Sequence, residues 1–110
     1  MADFIHQFLE PLVTDDGDEY AVRVYGTPSG TTWEGWIEFH PLNGGPALRT
    51  DRETTQPNRV DLSYWATGLS FVYLDGAFDR ALKVAHETES YGFSPDEPIE
   101  ESAGDVIIVP

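Results

Sequence analysis

Apolar and polar positions alternate most cleanly over residues 20–25. Tyr20, Val22 and Val24 fall on one side of an extended chain, with Ala21, Arg23 and Tyr25 on the other. The alternation returns over 32–40, where Trp33, Gly35, Ile37 and Phe39 share one face and Glu34, Trp36, Glu38 and His40 the opposite one. Together they predict a hairpin, with Gly26-Thr27-Pro28-Ser29-Gly30 as a loop longer than the tight two-residue kind. Gly35, between two Trp residues, leaves room for a neighbouring ring or marks a bulge. After a turn containing Gly44-Gly45, Ala47-Leu48-Arg49 begins a third strand.

The remaining elements follow from other rhythms. Phe4, Ile5, Phe8, Leu9 and Leu12 recur with helical spacing, so a short helix is expected over 3–10, capped by Asp3 and ended by Pro11. Residues 14–18 read as a turn. Asn58 is placed to cap a helix carrying Leu62, Trp65, Ala66 and Leu69, with Gly68 near its end. Residues 71–74 form a fourth strand or an extended connector. Asp75 then caps a helix reaching about residue 87, buried along Phe78, Ala81, Leu82 and Ala85. Gly92, Pro95 and Pro98 mark 91–101 as a surface excursion, and the apolar run 106–109 reads as a last strand. This order predicts an α+β fold, an antiparallel sheet of three to five strands packed against two helices, in a single domain over 1–110.

Composition narrows the chemistry. The 110 residues include no cysteine, which excludes disulfides, thiolate metal sites and cysteine nucleophiles within this chain. The first residues lack the features of a leader, and no stretch approaches the roughly 20 apolar residues of a membrane helix. Cytoplasm is the expected compartment. His6, His40 and His86 are too scattered for a recognisable metal motif, and no nucleophile elbow or phosphate-binding glycine pattern occurs. No cofactor, metal site or catalytic residue is therefore expected.

The net charge of −14 has a distribution along the chain. Residues 1–19 hold six acids and residues 84–110 seven, neither stretch with Lys or Arg, whereas 20–83 sets seven acids against all six basic residues. Such a field repels phosphate backbones and anionic membranes and attracts basic surfaces. The expected partner is another protein with a basic surface, with no direct nucleic acid and no membrane; self-association stays open. Solubility alone would also account for the acidity.

Two local features are candidate contact sites. Half of the basic residues lie between 49 and 59, and there Arg49, Arg52, Glu53, Thr54 and Thr55 combine guanidinium forks with hydroxyls and a carboxylate. Trp36 shares its face with charged residues and Tyr64 is the outward partner of Trp65, so both are candidates for surface contact. The leading expectation is a non-enzymatic protein-binding or regulatory module, working through its acidic surface and an exposed Trp36/Arg52 region. Mimicry of nucleic acid is one special form. The alternatives are a small enzyme or anion binder with Arg49, Arg52 and Glu53 lining a pocket, and a structural subunit of a larger assembly.

Overall fold

A computed structural model of the chain describes residues 2–91, with side chains through residue 87. In chain order the elements are β1 (Asp3–Gln7), β2 (Leu12–Val13), β3 (Glu19–Ser29), β4 (Thr32–Pro41), β5 (Leu48–Arg49), β6 (Thr54–Gln56), α1 (Arg59–Thr67) and α2 (Phe71–Tyr91). The strands make one six-stranded antiparallel sheet. β3 and β4 are its long centre; β1 and β2 both pair with β3, while β5 and β6 both pair with β4. Both helices cover one face, so the fold is α+β as the sequence predicts.

The alternation along β3 and β4 holds residue by residue. Val22, Val24, Ile37 and Phe39 are buried completely beneath the helices, together with Leu62, Ala66, Ala77 and Ala81. Removing a large aliphatic or aromatic side chain of this kind from water contributes about 1.5–3 kcal/mol. Gly26 and Gly35 are opposed across the two strands, and a Cβ on either would run into the Leu62 methyls. The space at Gly35 therefore receives an aliphatic side chain from α1 rather than a neighbouring ring.

The hairpin itself differs from expectation. β3 continues to Ser29, paired with Thr32, and the connection is the two-residue turn Gly30-Thr31 with Gly30 at φ 61°. Pro28 is accommodated because β3 has there outrun β1 and become an edge.

The expected helix over 3–10 is strand β1. Asp3 caps nothing and instead lies 3.4 Å from Arg59. A bulge explains the misleading rhythm: the register shifts between Phe4 and His6, so Phe4 opposes Tyr25 while His6 opposes Val24. An extra residue in a strand breaks the two-residue period and imitates a helical one. The long β3 also needs a hydrogen-bonding neighbour on this side.

Residues 71–74 open α2 rather than forming a strand, and the cap is Ser70, not Asp75. The Ser70 hydroxyl accepts from the Tyr73 amide at 3.2 Å. The buried stripe is Leu74, Ala77 and Ala81 with Phe78 alongside, whereas Leu82 is 40% exposed. Asn58 does cap α1, its side chain accepting from the Asp61 amide at 2.9 Å. Strands β2 and β6 lie in segments read as connections. The expected excursion over 91–101, apart from its first residue, and the strand over 106–109 lie outside the described residues.

Candidate functional site

The sheet face turned away from the helices carries aromatic and charged side chains that the strand register brings together. Two rows cross it. Phe4, Tyr25 and Trp36 are successive cross-strand neighbours on β1, β3 and β4; Gln7, Arg23, Glu38 and Arg49 are neighbours across β1, β3, β4 and β5. Such directly opposed pairs are the contacts by which sheet side chains stabilise one another.

In the aromatic row, Phe4 meets Tyr25 edge-on at 6.0 Å between centroids. Tyr25 stacks on Trp36 at 6.4 Å with planes 16° apart. Arg49 lies over the indole, its guanidinium carbon 4.3 Å from the ring centroid. The indole N–H donates to Glu38 Oε2 at 2.9 Å, and the other Glu38 oxygen accepts from His40 Nε2 at 2.9 Å. Layered in this way, Trp36 is only 7% exposed although neither described helix covers it. The expectation of an exposed indole is thus corrected: Arg49 and Tyr25 form the outer surface, with Phe4 half exposed beside them.

Arg52, the other arginine expected here, reaches Glu34 at 3.7 Å, and Thr55 opposes that same Glu34 across β4 and β6. Arg23 bonds through Nε to the neutral Gln7 Oε1 at 3.0 Å.

Glu53 belongs elsewhere. Its carboxylate takes a bidentate pair from Arg80 of α2, at 2.9 and 2.7 Å, and the Tyr73 hydroxyl donates to it at 2.6 Å. The Glu53 side chain is 7% exposed. Burial alone would raise its carboxyl, but hydrogen bonds from Arg80 and Tyr73, the Arg80 charge and the Thr50 hydroxyl together hold it below the ordinary value. Burial and the adjacent Glu53 carboxylate push the Tyr73 phenol up to about 12. Arg49, Arg52 and Glu53 therefore do not line one pocket: Glu53 turns toward α2 while Arg49 and Arg52 engage side chains of the opposite face.

The geometry of 50–53 follows from the sheet edge. Between β5 and β6 the chain leaves the ladder, yet β4 keeps its partners there. The Thr50 amide donates to the Ile37 carbonyl at 2.9 Å, and Thr50 Oγ1 accepts from the Ile37 amide at 3.1 Å. The Glu53 amide donates to the Gly35 carbonyl at 2.7 Å. Thr50 is buried completely, which makes its hydroxyl a replacement for a missing strand carbonyl.

The other two candidates lie apart. Thr54 opposes Gly35 and accepts from Gln56 Nε2 at 2.7 Å on the helix side. Tyr64 is 83% exposed on α1, beside a shallow groove of about 490 Å³ shared with Arg59, Val60 and Thr67. Acidic side chains meet at a different end, where Asp15 lines a groove of about 350 Å³ with Asp75 and Asp79 of α2. Among the described residues no group of His, Cys, Asp or Glu is placed to hold a metal ion, and no helix is long and apolar enough to cross a membrane.

Phe4, Arg23, Tyr25, Glu38 and His40 were not singled out by sequence reasoning. For Arg23, Tyr25, Glu38 and His40 the signal was present in the alternation of β3 and β4 but needed the hairpin register, whereas Phe4 lay in a segment read as a helix. A long loop leaves the pairing of Tyr25 with Trp36 undefined, whereas the two-residue turn fixes it. Compared with known proteins, the chain matches no family model, no curated protein and no solved structure.

Proposed function

We propose that the chain is a non-enzymatic protein-binding module whose contact surface is the sheet face opposite the helices. The observation that carries this reading is the aromatic row Phe4–Tyr25–Trp36, roofed by Arg49, on a face that neither described helix covers. Tyr, Trp and Arg dominate the energetics of protein interfaces because each presents a large apolar area with a polar handle. Holding them in cross-strand contact lowers the entropy lost when a partner orders them. Asp15, Asp75 and Asp79 gather at a groove away from these residues and contribute to the long-range field a partner meets on approach.

Arg49, Arg52 and Glu53 point to different neighbours, so the reading as a small-ligand or catalytic pocket gains no support from them. The test is affinity capture with three forms of the protein: unaltered, Phe4→Ser with Tyr25→Ser, and Tyr64→Ser. Partners retained by the unaltered and Tyr64→Ser forms but lost from the double variant are the expected result. Partners bound equally by all three would overturn the assignment of this face.

A further inference from the structure

We propose that the open face selects an extended segment of another protein that carries an acidic side chain two residues from an aromatic one. This rests on the reading of that face as a contact surface and adds the chemistry of its partner. The chain has 20 acids against six Lys and Arg, so every basic side chain could in number find a carboxylate. Arg52, Arg59 and Arg80 each have one, from Glu34, Asp3 and Glu53. Among the described residues Arg23, Arg49 and Lys83 make no ion pair, and of these the two arginines share the open sheet face. Arg23 bonds the neutral Gln7, and Arg49 lies on Trp36 with Nε toward the Thr50 carbonyl at 3.4 Å.

Both arginines stand in one row, separated only by Glu38. That carboxylate makes no direct ion pair with either, because its oxygens are turned to Trp36 and His40, so the row of two arginines and one glutamate keeps a single net positive charge. The two arginine backbones on β3 and β5 are roughly 10 Å apart by strand spacing, with the Arg23 guanidinium held toward Gln7 and that of Arg49 leaning over Trp36. Guanidinium forks match carboxylates in shape and charge, and an Arg already stacked on an indole loses little freedom on binding.

The spacing of the two rows supplies the second half of the pattern. Arg23 and Tyr25 are two residues apart on β3, as are Glu38 and Trp36 on β4, so the rows are about 6.8 Å apart along the strands. In an extended peptide, side chains at i and i+2 project on the same side with that same separation. A segment lying along the strand direction therefore sets a carboxylate over the arginine row as it sets a ring over the aromatic row. The exposed edge of Phe4 gives that ring its neighbour. A basic segment would meet the two unpaired arginines and be repelled.

The probe is a short synthetic peptide, acetyl-Gly-Ser-Glu-Ser-Phe-Ser-Gly-amide, with analogues carrying Gln or Lys in place of Glu. Binding to the full chain is followed by the NMR shift of the Trp36 indole N–H, over a range of salt concentrations. The glutamate peptide is expected to bind about tenfold or more tightly than the Gln analogue, the discrimination of a charge-assisted hydrogen bond. That preference should shrink as salt rises. It should disappear in Arg23→Gln with Arg49→Gln, whose thermal melt establishes that the variant is folded. Equal binding of the Gln analogue, preference for the Lys analogue, or an acid preference that survives in the double variant would each overturn the proposal. Binding without acid preference would still leave the face as a contact surface, whereas no shift with any peptide would count against both. Sedimentation at several concentrations covers the remaining occupant. Self-association abolished by the same double variant would assign the face to a second copy and overturn the proposal.

Discussion

The two faces of the sheet use the same side-chain types for different ends. On the helix side, Arg80 grips a carboxylate that is 7% exposed, and Tyr73 closes the same carboxylate from the other direction. On the open side, Arg49 lies over a ring and Arg23 donates to an amide oxygen, so neither makes an ion pair although Glu38 stands between them. The first arrangement ties α2 to the segment between β5 and β6. The second orders a surface without neutralising it. An arginine beside an aromatic ring is therefore not diagnostic by itself; what its remaining donors face decides the role.

Breaking the helix side should give the largest effects. Phe39→Ala removes a completely buried ring that packs edge-on against Phe78, and unfolding in urea should register a loss of about 3–5 kcal/mol. Gly35→Ala drives a methyl into Leu62, with an expected loss of about 1–3 kcal/mol. Combining it with Leu62→Ala should cost less than the sum of the two single changes, because each relieves the other. Strict additivity would mean that the contact between them is not the cause.

The polar bridge is next in size and is sharpened by pH. Glu53 has a folded pKa below its unfolded one, so its contribution is present at neutral pH and fades as pH falls through the acidic range. Tyr73 is shifted the opposite way, to about 12 from 10.0. Its contribution is complete below about pH 10 and is lost as pH rises toward 12. Glu53→Gln should flatten the acid limb of a stability profile, and Tyr73→Phe the alkaline limb. A profile unchanged by either substitution would remove the bridge as a determinant.

Smaller still are changes on the open face. Arg49→Ala should lower stability by about 0.5–1 kcal/mol, the value of an accessible cation–π contact, while shifting Trp36 emission to the red as the indole meets water. Arg52→Ala should alter the melting curve by less than about 1 kcal/mol, since its pair with Glu34 is long and solvent-facing. A large destabilisation from either would make this face part of the folding core and not a spare surface.

The alternation over 20–25 and 32–40, the Asn58 cap and the periodicity through Ala81 were all legible in the sequence. Each is a local rule in which a residue's neighbours in the chain suffice. The helix expected at 3–10 failed because a bulge erased the strand period. Residues 71–74 failed for a related reason: four apolar residues in a row fit a strand or a helix equally, and Leu74, Ala77 and Ala81 settle the matter only once a sheet lies beneath them. Of the candidate site, Trp36 and Arg49 were legible as a face and a cluster, but their stacking was not.

The charge distribution makes the same point. Two acidic ends around a near-neutral middle is a true statement about the chain. On the folded surface, however, Asp75 and Asp79 from that middle join Asp15 at one groove, while Arg59 takes up Asp3. The acids of 84–110 lie largely outside the described residues.

By itself, then, the sequence determined the class of the fold, the buried faces of its two central strands, the start of α1 and the acidity of the whole. Period, capping and composition act through the chain's own neighbours. Only the tertiary structure decided which arginines are neutralised, that Thr50 completes the β4 ladder, and that Trp36 lies beneath Arg49. Those outcomes depend on strand register, which a two-residue turn and a single bulge set, and on which carboxylates the packed helix brings within reach.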